Sequence, residues 1–179
     1  HPRTELFDSG TASLAFGMQV VGAARLAEQG KSVDEILAAL EIWKANTGLF
    51  FTVATLDFLK RGGRIGAAAH MLGSIFKLRP VLTFDGEVKS VAKGRGDDDA
   101  YEKLLAAFGE AVPAGSKLRL ALISSTGSAR LDQAEAWVRE RYDVVESFRG
   151  TLTGVVGAHV GPGVWGLFYQ VVQDDDPLL

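Results

Sequence analysis

Short apolar runs alternate with segments of helical periodicity along the whole chain, and this alternation constrains the fold more than any other feature. Short runs of apolar, β-branched and aromatic residues are typical of buried strands, whereas apolar residues three and four positions apart indicate a helix packed on one side. Both patterns recur together, with a βαβ-like rhythm in the second half. The sequence therefore predicts a single α+β domain over residues 1–179, with helices packed against a mixed β-sheet.

The individual elements are predicted from these patterns. An edge strand is expected at residues 5–8, and further strands at 49–54, 80–84, 88–92, 118–124 and 144–148. Helices are expected at 11–29, 33–46, 56–60, 67–75, 98–108 and 128–141, and residues 153–170 should supply a glycine-broken helix and the last strand. Asp85-Gly86 is a strong hairpin signal, and residues 174–179 are predicted to be a polar, frayed end.

Two helices near the N-terminus are defined by signals at their ends. Gly30 is placed to end the first helix. The predicted buried face of that helix is Ala12, Ala15, Phe16, Val20, Ala23 and Leu26. Ser32 and Glu35 have the spacing of a capping box at the start of the second helix. That helix should bury Ile36, Leu37, Leu40 and Trp43. The two helices are expected to pack as a pair.

Composition and charge exclude several classes of function. The absence of cysteine excludes disulfides, thiolate metal sites and a cysteine nucleophile. The net charge of -3, with interspersed signs, provides no broad positive field, so nucleic acid is not expected as a partner. No apolar run reaches the roughly 18–20 residues that span a bilayer, and no leader pattern opens the chain. We therefore expect no membrane span and a cytoplasmic location.

A basic, glycine-rich turn is the first candidate site. It has the sequence Lys60-Arg61-Gly62-Gly63-Arg64-Ile65-Gly66. Glycines such as Gly63 allow the backbone to approach an anion, the following helix offers free N–H groups, and Arg64 could supply a bidentate guanidinium. The alternative is a solvated turn whose cations cap the preceding helix. The spacing is not that of a Walker A loop.

Two further candidates carry basic or titratable side chains. His159, in His159-Val160-Gly161-Pro162-Gly163, has few polar neighbours in sequence, so its ring must find a partner elsewhere; a structural histidine is the alternative. In Lys93-Gly94-Arg95 a cation could face a ligand head group or, alternatively, water. Ser124-Ser125-Thr126-Gly127 is expected to cap the next helix rather than bind an anion. The spacing of the histidines predicts no metal site, and no serine lies in a nucleophile elbow.

Several of these motifs together resemble the DegV family. The motifs are Asp8-Ser9 followed by Ser13 and Gly17, Leu59-Lys60-Arg61-Gly62-Gly63-Arg64-Ile65, Arg79-Pro80-Val81-Leu82 with Gly86, Lys93-Gly94-Arg95, and His159-Val160-Gly161-Pro162-Gly163. Their order and spacing match across nearly the whole chain. The family has two lobes, and the resemblance covers only the C-terminal α+β lobe. The N-terminal lobe, with its serine and threonine ligands for a carboxylate, has no counterpart in this sequence.

The resemblance implies a lipid-binding function. Members of the family hold a long-chain fatty acid in an apolar tunnel, present it to a separate fatty acid kinase and then hold the acyl-phosphate. By this resemblance Arg64 and His159 would contact the carboxylate or acyl-phosphate, Arg95 would be a further basic residue at that end, and Gly63 would belong to the same binding turn. The implied protein is a non-catalytic carrier with no cofactor besides the bound fatty acid.

Two other functions are compatible with the same residues. In the first, the chain is an enzyme in which His159 acts as a general acid or base on a small substrate. In the second, it is a scaffold or regulatory lobe that exposes an apolar surface and forms a homodimer through it.

Overall fold

A mixed β-sheet of six strands forms the centre of the molecule. The computed structural model describes residues 3–72, 78–125, 127 and 129–179. The strands are β1 Thr47–Thr52, β2 Leu78–Asp85, β3 Glu87–Arg95, β4 Lys117–Ser124, β5 Asp143–Thr151 and β6 Trp165–Val171. The helices are α1 Ser13–Glu28, α2 Val33–Ala45, α3 Asp57–Arg61, α4 Asp97–Ala111, α5 Ala129–Arg139 and α6 Gly154–Val160, and a 3₁₀ helix covers Gly66–Met71. The predicted α+β class is confirmed.

The strand order in the sheet is β3-β2-β1-β6-β4-β5. Every neighbouring pair is antiparallel except β4 and β5, which run parallel. A parallel pair requires a crossover connection, and α5 supplies it. The last strand, β6, lies between β1 and β4, so residues from distant parts of the sequence meet at the centre of the sheet.

Each face of the sheet is covered by a different set of helices. Side chains alternate between the faces along a strand, so Phe50 and Phe51 of β1 enter different apolar clusters. The Phe50 cluster contains residues of α4 and α5. The Phe51 cluster contains residues of α1, α3 and α6. This second face is where the candidate site lies.

The signals at the helix ends are confirmed. Ser32 Oγ accepts a hydrogen bond from the Glu35 N–H at 3.3 Å, and the Glu35 carboxylate accepts one from the Ser32 N–H at 2.8 Å. The Glu35 carboxylate also accepts a hydrogen bond from Ser32 Oγ at 2.7 Å. The two hydrogen bonds that it accepts from Ser32, with a smaller contribution from Lys31, lower the pKa of Glu35 to about 2. Gly30 follows α1 with a φ of 78°, in the left-handed region that glycine adopts at low cost.

The buried face predicted for α1 is partly wrong. Phe16 and Val20 are 49% and 50% exposed, while Met18, Gln19 and Gly22 are buried together with Ala15 and Leu26. The reason is the contact with α2. A Cβ placed on Gly22 would lie 2.7 Å from Cη2 of Trp43, so the helix turns its glycine toward this ring instead of its larger apolar residues.

The predictions for both terminal segments are also wrong. Residues 5–8 form no strand: Leu6 is 98% exposed, and Arg3 pairs with Asp34 at 2.8 Å, which holds the segment beside α2 rather than at a sheet edge. Residues 174–179 are not a frayed end, because Asp176 is buried and accepts hydrogen bonds from Arg119 and Trp43.

Some predicted residues lie outside the described part of the chain. The helix predicted at residues 67–75 is a 3₁₀ helix over Gly66–Met71, and its residues 73–75 are not described. Ser128, predicted to begin the helix at 128–141, and Thr126 of the expected capping segment are outside the described residues as well.

Candidate functional site

An apolar cavity of about 270 Å³ lies on the sheet face covered by α1, α3 and α6. Its floor comes from the sheet, with Leu49 and Phe51 of β1, Ile123 of β4 and Phe168 of β6. Its other walls come from Leu59 and from α6, which contributes Val155, Val156 and Val160. Val155 is 77% exposed, so the α6 side of the cavity reaches solvent.

Among the described residues that line the cavity, those with polar side chains are Ser13, Arg64 and His159. Arg64 and His159 lie 95 positions apart in sequence, and the fold brings both to one cavity. Among the described residues His159 has no hydrogen-bond partner, and its Nδ1 is buried. A cavity of this composition suits a ligand with a long apolar part and one anionic group.

The loop after α6 fixes the position of His159. A Cβ on Gly161 would lie 2.7 Å from Cε2 of Phe58, so glycine is needed for this loop to pack on α3. Gly161 also has a φ of 73°. Further along the loop the Gly163 N–H donates to Ser125 Oγ at 2.8 Å, and Arg79 Nη2 donates to the Gly163 carbonyl. The loop is therefore attached to both the β4 end and the β2 end of the sheet.

The basic turn fixes the position of Arg64. The Arg64 N–H donates to the Leu59 carbonyl at 2.9 Å, and Gly63 adopts a φ of 65° between them. Gly63 itself does not line the cavity, and its N–H is donated to the Lys60 carbonyl at 3.1 Å. Its single backbone donor is thus already used, and its role as a ligand contact stays a prediction.

The turn carries positive charge that no described carboxylate neutralises. Within the described ranges, Lys60, Arg61 and Arg64 form no ion pair, and the Arg61 guanidinium lies 4.7 Å from the centre of the Phe58 ring. The Arg64 side chain is exposed and makes only a long bond, 3.3 Å, to the Gly62 carbonyl. These cations are free to interact with an anion at the cavity.

Arg95 is not brought to this cavity. It ends β3, opposite Leu78 of β2, and its N–H donates to Asp99 Oδ2 at 2.6 Å. Hydrogen bonds from Lys103 and from this N–H lower the pKa of Asp99. The cavity-lining residues do not include Arg95, so its role near a head group stays a prediction.

Ser13 is a lining residue whose conformation sequence reasoning missed. Among the described residues it is the one non-glycine residue with a positive φ, 58°, and it begins α1 at the cavity wall. Residues held in this region are strained and often lie at binding sites. No sequence signal identified it, because the left-handed conformation is ordinarily marked by glycine or asparagine.

The described residues offer neither a metal site nor a membrane-spanning helix. No three of their histidine and acidic side chains come together in a group that could hold a metal ion. Their helices include none with the length and apolar character that crossing a bilayer requires.

Comparison with known proteins identifies the family. The family model described as an uncharacterised protein of the DegV family matches residues 1–172. The chain belongs to the DegV family. The resemblance inferred from the motifs is therefore confirmed. A DegV domain-containing protein of Clostridium perfringens is 32% identical over 167 residues, which are 92% of this chain and 59% of that protein.

Two relatives of this DegV chain carry names that state a ligand. A protein of Thermotoga maritima named as a fatty acid-binding protein is 30% identical over 169 residues, 93% of this chain and 59% of that protein. A solved structure described as fatty acid binding of a DegV family protein from Thermus thermophilus is 34% identical, with a TM-score of 0.88, and the match covers 96% of this chain and 62% of that one. This chain thus spans about three fifths of the length of these relatives.

Proposed function

We propose that this DegV chain binds a long-chain fatty acid, with the acyl chain in the apolar cavity and the carboxylate facing Arg64 and His159. The observation that carries the proposal is the meeting of these two side chains at a cavity whose other walls are almost entirely apolar. The names of the relatives in Thermotoga maritima and Thermus thermophilus support the same ligand class.

The energetics of burial favour such a ligand. Each methylene transferred from water to an apolar wall contributes about 0.8 kcal/mol, so a long acyl chain contributes on the order of 10 kcal/mol before the cost of ordering it. The volume of about 270 Å³ lies just below the roughly 300–1,000 Å³ typical of ligand pockets. Aromatic walls such as Phe51 and Phe168 provide the apolar surface that this burial needs.

The proposal includes presentation of the acid to a separate fatty acid kinase and retention of the acyl-phosphate. It is supported by the family and by the cations of the basic turn, Lys60, Arg61 and Arg64, which have no described carboxylate partner and could interact with a phosphate. The chain would act without turnover of its own, since His159 has no described carboxylate or hydroxyl partner that would make it part of a catalytic pair. A cytoplasmic location, where such a kinase acts, belongs to the same proposal.

The first experiment is extraction of the purified, denatured chain into organic solvent, followed by mass spectrometry for lipid. A stoichiometric long-chain fatty acid is the expected result. A protein that is empty, and that also fails to take up added palmitate, would contradict binding by this chain.

Variants then test the head-group contacts. Arg64→Ala and His159→Ala should each weaken palmitate binding by about tenfold or more, because each removes a hydrogen bond to a charged group. Arg141→Ala is the matched control, since Arg141 is also exposed but pairs with Glu140, away from the cavity. If the wild type and all three variants bind palmitate with equal affinity, Arg64 and His159 do not contact the ligand.

A scaffold lobe that forms a homodimer is the second candidate. Phe16 and Val20, four positions apart on α1, expose apolar surface of the kind that favours association. Light scattering tests it: a dimer that Phe16→Gln converts to a monomer would support this candidate, and a monomeric wild type would exclude it.

A further inference from the structure

Gly62 lies so close to the ring of His159 that no residue with a Cβ would fit at this position. A Cβ built on Gly62 would overlap His159 Nδ1 and lie 3.1 Å from Cε1. Gly62 ends α3 with φ -77° and ψ -2°, a helical conformation that every L-residue adopts readily. The backbone therefore does not require glycine at this position, whereas the histidine ring does.

The neighbouring glycine serves a different purpose. Gly63 has a φ of 65°, and a Cβ added to it would meet nothing within 4 Å. Position 63 requires glycine because of its positive φ, whereas position 62 requires glycine because the His159 ring leaves no space for a Cβ. The two glycines of the basic turn can therefore be separated by experiment.

The contact at Gly62 also favours one tautomer of the His159 ring, the one without a proton on Nδ1. In glycine a Cα–H bond occupies the direction of the missing Cβ, so this C–H of Gly62 points at Nδ1. A lone pair on Nδ1 accepts such a contact weakly, whereas an N–H would collide with it. Nδ1 is also buried and has no hydrogen-bond partner among the described residues, so a proton there would be a buried donor without an acceptor.

We propose that Gly62 is the positioning residue of the site: it holds the His159 ring with Nδ1 unprotonated against α3 and with the Nε2–H directed to the ligand. The neutral imidazole then acts as a hydrogen-bond donor to the carboxylate, and Arg64 provides the positive charge. The part of this inference that names the carboxylate rests on the proposed function, whereas the ring position and its tautomer do not.

The ring tautomer is measured on the ligand-free protein. Long-range proton–nitrogen NMR at about pH 8.5, where an ordinary imidazole is neutral, should show His159 with its proton on Nε2. His70 is an internal reference with the opposite tautomer, because its Nδ1 lies 2.7 Å from the Ala67 carbonyl, which can only accept. His159→Gln and His70→Gln assign the signals. A proton on Nδ1 of His159 would overturn the proposal.

A double-mutant cycle measures the contact itself. Gly62→Ala should lower the midpoint of thermal unfolding by several degrees in the wild-type background and by less than half as much in His159→Ala, where the ring is gone. Gly63→Ala is the matched control and should lower the midpoint equally in both backgrounds, since its cost is conformational. An equal loss for Gly62→Ala in both backgrounds would show that the ring does not set the need for glycine.

Ligand affinity links the contact to the site. Gly62→Ala should weaken palmitate binding by about tenfold and should have no further effect when His159 is already alanine. A full tenfold loss in the His159→Ala background would contradict positioning through the ring. If the wild type binds no fatty acid, the proposed function fails, and the tautomer and the unfolding cycle still decide the role of Gly62.

Discussion

The carboxylate of Asp176 accepts four hydrogen bonds near the C-terminus of the chain. Arg119 donates two of them, at 2.7 and 2.8 Å, Trp43 donates one through Nε1 at 2.9 Å, and the Leu178 N–H donates one at 2.9 Å. Burial acts to raise the pKa of Asp176, but these hydrogen bonds and the Arg119 charge outweigh burial, so its pKa lies below the ordinary value. The carboxylate joins the C-terminal segment to β4 and α2.

Replacing Asp176 should be strongly destabilising. We expect Asp176→Asn to lower the free energy of unfolding by roughly 3–5 kcal/mol, because it leaves the buried Arg119 guanidinium with only the longer ion pair to Glu146, at 3.8 Å. Urea unfolding monitored by circular dichroism measures the loss. Asp174→Asn is the control: its side chain is fully exposed and its pair with Lys117 is long, 3.5 Å, so we expect little change in stability. Equal losses in the two variants would show that the pair with Arg119 is unimportant.

The same carboxylate predicts a dependence of stability on pH. Its pKa is depressed in the folded state, so its contribution is fully present above the unfolded value of about 3.9 and is lost as the pH falls toward the folded value. The free energy of unfolding should therefore fall as the pH is lowered through the unfolded value, and this fall should be smaller in Asp176→Asn. Urea titrations at several pH values measure it, and identical slopes in the two proteins would contradict the assignment.

Site residues could be predicted from the sequence only in part. Arg64 and His159 each lie in a recognisable motif, but they are 95 positions apart, and their meeting at one cavity depends on the fold of the chain between them. The resemblance implies a binding role for Gly63, whereas the glycine that contacts the His159 ring is its neighbour Gly62, and the sequence of the turn does not indicate that distant contact.

The packed helices α1 and α2 show how one side chain determines which face of a helix is buried. Gly22 allows the Trp43 ring to approach α1, and Trp43 is nearly inaccessible to solvent in consequence. The apolar side chains of Phe16 and Val20 remain on the outer side of α1.

Two alanine substitutions in α1 should have opposite effects. Gly22→Ala should lower the free energy of unfolding by roughly 1–3 kcal/mol, because the methyl group overpacks the contact with Trp43. Gly17→Ala should raise it by about 0.5–1 kcal/mol, since nothing lies within 4 Å of the added Cβ and alanine is the better helix former. Urea unfolding compares them, and a stabilised Gly22→Ala would contradict the close packing of Trp43.

Elements with local signals were predicted well, and the others were not. The capping box at Ser32, the Asp85-Gly86 turn and Gly30 depend on neighbouring residues, and all three are confirmed. The buried face of α1 depends on Trp43, and the anchoring of residues 174–179 depends on Arg119, 57 positions before Asp176. Contacts between residues so far apart in sequence cannot be predicted from periodicity or composition.

For the molecule as a whole, ligand binding should raise the temperature of unfolding. At a palmitate concentration about 100 times the dissociation constant, binding to the folded state alone adds about 2.7 kcal/mol, which corresponds to roughly 5–10 °C for a chain of this size. Differential scanning fluorimetry measures the shift. Arg64→Ala should show a smaller shift at the same palmitate concentration, and hexadecanol, which has the same chain length but lacks a carboxylate, serves as the control ligand. A shift with hexadecanol equal to that with palmitate would argue against recognition of the head group.

The class of the fold could be predicted from the sequence, whereas the arrangement of the sheet could not. Alternating apolar runs and helical segments specify an α+β domain, but the order β3-β2-β1-β6-β4-β5 is set by pairings across the chain, such as Thr52 with Trp165. It stays a prediction that one domain covers residues 1–179, that this domain corresponds to one lobe of a larger protein, and that the chain forms a homodimer.

The central position of β6 has a consequence for how the protein is made. Synthesis proceeds from the N-terminus, so β1 and β4 leave the ribosome before the strand that joins them. Until Trp165–Val171 emerges, both present unpaired backbone groups and apolar side chains, a state that favours association with other nascent chains. Because this joining is long-range, the sheet should form slowly and late. A message truncated shortly before Trp165 would therefore yield an aggregating product rather than a slightly shorter domain.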